Sequence, residues 1–243
     1  MKITLLVLLF LLFSGDSLKS QSAEEYYQKG LFLHSIGKSE EAMKMYDKAI
    51  KLDPNHYGAY MERATEKMIS FDISGAIEDC NKCVELHPDR DSSYLVRASV
   101  LSVNRNFDQS NQDLFKAIEI KPDNPMAYSS LGTNCSQQGL DSEAIIYFNK
   151  AIELDPKLFV AYSGRALAYR NMIDFENAIS DYTKVIELDP SFFMTYSSRA
   201  ICYFETGQYE KAISDWELLI KKAPSFEPIV KHSLEEAKRK LGK

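Results

Sequence analysis

Small, aromatic and proline positions recur along this chain with a period of 34 residues. Stepping by 34 finds a proline six times, at Pro54, Pro88, Pro122, Pro156, Pro190 and Pro224. The same step finds a tyrosine six times, at Tyr26, Tyr60, Tyr94, Tyr128, Tyr162 and Tyr196, each followed four residues later by Gly or Ala. Residues 23–226 therefore divide into six units, which are 23–56, 57–90, 91–124, 125–158, 159–192 and 193–226.

Each unit predicts two helices joined by a turn. In the second helix of the fourth unit, Ala144, Phe148, Ala151 and Ile152 have the spacing of one helical face. The proline near the end of each unit cannot continue a helix and ends it. Because one helical hairpin cannot bury both of its faces, successive hairpins stack, and the pattern predicts an all-α solenoid.

The pattern resembles the tetratricopeptide repeat family over residues 23–226. The resemblance implies a right-handed α-solenoid of helix-turn-helix repeats, closed by a helix that shields the last repeat. Residues 227–243 fit a capping helix and tail, with Val230, Leu234 and Leu241 on one apolar side. The sequence departs from the family at position 7, which is often Arg, and at Cys80 and Cys83, which replace an aromatic residue and an alanine.

Arginine at position 7 of a repeat occurs together with aspartate at position 23. Repeats two, three, five and six have both, as the pairs Arg63 and Asp79, Arg97 and Asp113, Arg165 and Asp181, and Arg199 and Asp215. Repeats one and four have neither residue. We interpret the four pairs as structural ion pairs; the alternative is that late duplications copied both residues together.

Family resemblance implies that the first helix of each repeat lines a concave groove with positions 2, 5, 9, 12 and 13. In the first half these positions include Tyr27, Leu31, His34, Met61, Thr65, Met68, Leu95 and Ser99. The second half gives the candidate ligand groove: Met126, Ser129, Thr133, Val160, Ser163, Leu167, Arg170, Met194, Ser197, Ile201 and Phe204.

Apolar and small hydroxyl residues dominate this second half, where Arg170 is the one strongly charged residue. We expect Met194 and Phe204 to contact a ligand, because flexible and aromatic side chains can accept several partner sequences. Leu167 and Ile201 are equally well explained as packing between inner helices. No window has the Lys, Asn and Arg pattern of the carboxylate clamp with which relatives bind chaperone tails.

Composition narrows the possible partners. With 29 basic and 35 acidic residues, the net charge is -6, and nucleic acid is an unsuitable ligand. Cys80 and Cys83 have the spacing of a redox or half-zinc motif, but they fall mid-helix at core positions without a second ligand pair. We therefore expect buried structural cysteines, no metal, no cofactor and no catalytic site.

The N-terminal 22 residues differ from the repeats. A short basic start precedes the apolar run ITLLVLLFLLF and a stretch of small residues, which is typical of a secretory signal peptide. We expect a mature chain that begins between Leu18 and Ala23, is secreted or periplasmic, and has no stable membrane span. An uncleaved anchor is the alternative.

These patterns favour an exported, non-catalytic scaffold that binds a peptide or protein segment in its concave groove. One alternative is a structural subunit of a cell-envelope assembly that uses the convex face or the edges. A more remote alternative is a thiol redox protein that uses Cys80 and Cys83.

Overall fold

The computed structural model describes residues 21–242, which form thirteen α-helices and one short 3₁₀ helix. The predicted all-α solenoid is confirmed. The first helices of the repeats are α1 Ala23–Ser35, α3 Tyr57–Ile69, α5 Asp91–Val103, α7 Pro125–Gln137, α9 Phe159–Asn171 and α11 Met194–Glu205. The second helices are α2 Ser39–Leu52, α4 Ile73–Leu86, α6 Phe107–Ile120, α8 Asp141–Leu154, α10 Phe175–Leu188 and α12 Tyr209–Lys222.

The 3₁₀ turn Pro224–Phe226 and helix α13, Glu227–Lys240, follow the last pair. Each helix packs on the next one along the chain, and neighbouring first helices also touch, as α7 and α9 do. None of the described helices has the length and apolar character needed to cross a membrane. Apart from its last two residues, the predicted signal peptide lies outside the described residues.

In repeats one and four, a glycine in the first helix lets an aromatic ring of the second helix pack closely. A Cβ atom built on Gly132 would lie 2.8 Å from the ring of Phe148, so the aromatic ring occupies the space that a side chain would need. Tyr46, Phe148 and Trp216 hold the same position in their repeats and are almost completely buried. The aromatic residues therefore form the core of each of these helix pairs.

The recurring tyrosine and proline connect one repeat to the next. In four repeats the tyrosine hydroxyl donates to the carbonyl oxygen of the proline six residues before it, over 3.2–3.4 Å. Both residues lie near the boundary between repeats, where a second helix ends and a first helix begins. At these four boundaries the recurring tyrosine and proline are therefore in direct contact, which helps to orient the first helix of the following repeat. The tyrosines are Tyr94, Tyr128, Tyr162 and Tyr196.

The four Arg and Asp pairs are in contact within their own repeats. Arg165 donates from Nε and Nη2 to the two carboxylate oxygens of Asp181, over 2.7 Å each. The other three pairs have the same two-bond geometry, with distances of 2.6–2.8 Å. All four aspartates are buried. Hydrogen bonds to Asp181 raise the pKa of Arg165, while burial opposes this effect.

Each arginine also reaches back to the preceding repeat, which the sequence analysis missed. Nη1 of Arg165 donates to Asn149 over 2.5 Å, and the other three arginines contact a residue at the same position. Those acceptors are Asp47, Asn81 and Thr183. In repeat four, where Leu131 replaces the arginine, the residue at that position of the preceding repeat is the exposed Phe115. Leu131 is buried and packs beside Tyr147, so apolar packing substitutes for the ion pair.

Helix α13 covers the last repeat with an apolar side, as the family resemblance implies. Val230, Leu234 and Ala237 are buried in one cluster with Trp216. Leu241, which was predicted on this side, instead forms the C-cap of the helix and is only half-buried. Because the helix ends at Lys240, Ala237 takes the third apolar position.

Candidate ligand groove

Residues of the predicted groove meet at a pocket between repeats five and six. The pocket has a volume of about 200 Å³ and lies between helices α9 and α11. Four predicted residues line it, namely Ser163, Leu167, Arg170 and Met194. Met194 is 49% exposed and Leu167 is 39% exposed, so both side chains are open to a ligand. The structure therefore brings the centre of the predicted groove together.

Other residues of this pocket were not predicted. Gly164, Tyr182, Phe192, Thr195 and Ser198 complete its lining. Ser198 lies at position 6 of its repeat, next to the groove position 5 of Ser197, so a list that included neighbouring positions would have found it. Tyr182 and Phe192 come from the second helix and the loop after it, which a list restricted to first-helix positions leaves out.

Most of the polar side chains in this pocket carry hydroxyl groups, and Arg170 is its charged residue. Arg170 has no ion-pair partner among the described residues, and the hydroxyl of Thr195 is buried without a hydrogen-bond partner in the same part of the chain. Burial raises the pKa of Tyr182, although the nearby charge of Arg170 lowers it. The pocket thus combines one positive charge with hydroxyl groups and an apolar wall.

A second pocket lies between repeat six and helix α13. Its volume is about 220 Å³, and the predicted residues Ile201 and Phe204 line it together with Trp216. The ring of Phe204 packs 6.1 Å from Trp216 and lies under Nζ of Lys240, which is 4.6 Å from its centroid. The last helix, α13, therefore covers part of Phe204. For this reason Phe204 is less open to a ligand than Met194.

Several predicted groove residues lie outside both pockets. Met126, Val160 and Thr133 are exposed on first helices, and Ser197 is half-buried. The prediction for Ser129 was wrong, because this residue is only 5% exposed. Its helix α7 packs against first helices on both sides, α5 and α9.

The four cysteines are buried in the helix packing. Cys80, Cys83, Cys135 and Cys202 are free and buried. Burial raises the pKa of both Cys80 and Cys83 to about 12, which leaves them protonated near neutral pH. Residues 21–242 contain no cluster of three potential metal ligands. These observations argue against the thiol redox alternative.

Comparison with known proteins agrees with this architecture. Family models described as tetratricopeptide repeat match residues 23–56, 127–158, 159–192 and 181–214, and the chain belongs to this family. Proteins of this family are generally non-catalytic scaffolds for protein–protein interaction. A search of curated proteins found no match to this sequence.

Solved structures show the same fold at low sequence identity. Cut9, in the crystal structure of the APC/C heterotetramer Cut9–Hcn1, superposes with a TM-score of 0.78 at 19% identity, over 89% of this chain and 43% of its own. Yeast Tom70 has a TM-score of 0.73 at 23% identity, over 90% of this chain and 47% of its own. A TPR protein of the thermophile Thermus thermophilus has a TM-score of 0.68 at 18% identity, over 75% of this chain and 100% of its own. This chain thus spans less than half of Cut9 and Tom70.

Proposed function

We propose that this protein is an exported, non-catalytic scaffold that binds a segment of another protein in its concave groove. The main support for this proposal is the pocket between repeats five and six, because four residues chosen from the repeat pattern line it together. Membership of a family of interaction scaffolds supports the general class of function.

The size and chemistry of the pocket favour a protein side chain over a small molecule. Its volume of about 200 Å³ is below the ~300–1,000 Å³ that is typical of small-molecule sites. Leu167, Phe192 and Met194 offer apolar surface, and the hydroxyls of Ser163 and Ser198 can satisfy polar groups of a ligand backbone. An apolar side chain of an extended or helical partner segment fits this combination.

Export is the second part of the proposal. It rests on the basic start and the uninterrupted apolar run before residue 14, followed by small residues suited to signal peptidase cleavage. The partner would then be a secreted, periplasmic or cell-surface protein.

A structural subunit of a cell-envelope assembly remains the second candidate. It is favoured by the turns within repeats two and five, where Phe71 is 81% exposed and Ile173 is 74% exposed. Apolar side chains on an edge of the solenoid are suited to contacts that do not use the groove.

Affinity capture with variants on two faces tests the groove. In tagged protein, Met194→Glu and Ser163→Arg place a charge and a bulky cation in the pocket, and we expect the captured partners to be lost. The matched control is Ile146→Glu on the second helix α8, where the side chain is 66% exposed, and its partners should be retained. Circular dichroism checks that all variants stay helical. Loss of partners in Ile146→Glu, with retention in both pocket variants, would instead favour the envelope subunit.

A further inference from the structure

The first two repeats contain a group of acidic side chains that the second half of the groove lacks. Glu62 and Glu66 lie one turn apart on α3, which places them on the same helical face. Glu66 is only 1% exposed, and its Oε1 accepts a hydrogen bond of 2.5 Å from Nδ1 of His34 on α1. Its other oxygen, Oε2, is buried and has no hydrogen-bond partner in residues 21–242.

A tyrosine on the neighbouring helix α2, which packs against α3, is also buried. Tyr46 is completely buried, and its hydroxyl also has no hydrogen-bond partner among the described residues. Burial raises the pKa of Tyr46, and the charges of Glu62 and Glu66 raise it further, so the hydroxyl lies within their field. The buried hydroxyl of Tyr46 and the buried Oε2 of Glu66 thus both lack a hydrogen-bond partner in residues 21–242, while Glu62 is half-buried.

The basic side chains of the same helix do not neutralise this group. Arg63 and Lys67 both bind Asp79 on the neighbouring helix, over 2.6 and 2.9 Å. Within the described part of the chain, His34 is the ion-pair partner of Glu66, and no ion pair includes Glu62. One imidazole therefore faces two carboxylates, and the group has an excess of negative charge.

Part of the group is open to the groove. The side chain of His34 is 43% exposed, and Glu62 is half-buried. A carboxylate can only accept hydrogen bonds, so Nδ1 of His34 carries a proton and Nε2 is left for another partner. The carboxylate of Glu62 is the acceptor that this group offers to a ligand, while Glu66 fixes the orientation of the imidazole.

We propose that this acidic site, formed by His34, Glu62, Glu66 and Tyr46, binds a basic side chain of the partner segment, either a lysine or an arginine. A cation supplies the charge that the site lacks, and charge-assisted hydrogen bonds to a carboxylate are among the stronger contacts in proteins. This inference rests on the proposed use of the groove. It predicts a partner segment with a basic residue at repeats one and two and apolar residues at repeats five and six.

Nuclear magnetic resonance titration with small cationic amides tests the site without knowledge of the partner. The probes are N-acetyl-arginine amide and N-acetyl-lysine amide, and N-acetyl-citrulline amide is the neutral control of similar shape. We expect at least one cation to shift amide resonances of α1 and α3 saturably, while citrulline amide does not. If only one cation binds, it identifies the side chain.

A matched pair of variants locates the effect. Glu62→Gln should weaken binding of the cationic amide about tenfold or more, because it removes the open carboxylate. Glu85→Gln removes the same charge from an exposed position on α4 and should leave binding unchanged. The spectra report directly whether either variant is folded.

Three results would overturn the proposal: no saturable shift with either cation, the same shift with citrulline amide, or unchanged binding in Glu62→Gln. Failure here is separable from failure of the groove proposal, because Met194→Glu lies at the other end of the groove and should not affect binding of these amides. Loss of partners in Met194→Glu, without cation binding at α1 and α3, would leave the groove proposal standing and remove only the acidic site.

Discussion

At the scale of single residues, the paired Arg and Asp side chains are the most informative feature of the sequence. Their joint presence in four repeats predicted a contact, and the structure shows two hydrogen bonds in each pair. The third bond of each arginine, to the preceding repeat, could not be predicted in this way, because its acceptor is Asp, Asn or Thr. Several residue types can supply an oxygen acceptor, so no single residue type recurs at this position of the repeat.

A double-mutant cycle measures the coupling of one pair. Arg165→Ala leaves the buried Asp181 without its partner, and we expect a loss of ~3–5 kcal/mol in the free energy of unfolding. Asp181→Ala should cost a similar amount, and the double variant should lose clearly less than the sum. Denaturant unfolding is the measurement.

The control is Lys150→Ala, which breaks an exposed pair with Glu153 and should cost less than ~1 kcal/mol. Additive losses at Arg165 and Asp181 would mean that their contact contributes nothing.

Thiol labelling tests whether the cysteines are only structural. Cys80 and Cys83 are fully buried and have pKa values of about 12, so almost no thiolate is present near neutral pH. We expect iodoacetamide to label neither residue in the folded protein, and to label both in denaturant. Rapid labelling of the native protein, detected by mass spectrometry, would contradict this and revive the redox alternative.

At the scale of elements, the turn between the two helices of a repeat has a backbone conformation that some of its residues do not favour. The same position has positive φ in every repeat, and it is Gly37, Gly139 or Gly207 in three of them. Phe71, Arg105 and Ile173 adopt the same conformation, with φ of 58–64°. For a β-branched residue such as Ile173, this conformation is strained.

Glycine at these turns should stabilise the protein. Phe71→Gly and Ile173→Gly remove strain and lose few contacts, because both side chains are largely exposed. We expect each to raise the free energy of unfolding by ~0.5–1 kcal/mol, after the entropic disadvantage of glycine is subtracted. The reciprocal control, Gly139→Ile, should destabilise by ~1–2 kcal/mol. Destabilisation by both glycine variants would show that the apolar side chains make stabilising contacts despite their exposure.

At the scale of the whole molecule, periodicity predicted the fold well and the site only in part. Six in-phase copies of Tyr, a small residue and Pro define the helix pairs and their stacking. The pocket depends on how far each helix is covered by its neighbours, which is not a property of one repeat. For this reason Ser129 is buried although Ser163 at the same position lines a pocket. Phe204 is partly covered by α13, a helix that lies outside the repeats.

If the predicted signal peptide is cleaved, the position of the cut affects the first helix. Ser22 caps α1, since its hydroxyl accepts from the backbone N–H of Glu25 and its own N–H donates to the Glu25 carboxylate. Cleavage after Ser22 would remove this cap, at a cost of ~1 kcal/mol, whereas cleavage after Ser17 would retain it. N-terminal sequencing of exported protein should therefore return Leu18. A sequence that begins at Ala23 would show that the cap is dispensable, and Met1 would show an uncleaved anchor.

Site-specific photo-crosslinking in producing cells tests most directly which face binds the partner. A photoreactive amino acid replaces Leu167 in the pocket or Ile146 on the second helix α8, both of which are exposed in the structure. Our account predicts a discrete crosslinked adduct from position 167 and none from position 146, and the adduct should disappear when Met194→Glu is added. An adduct from position 146 alone would contradict the groove and assign binding to the opposite face of the solenoid.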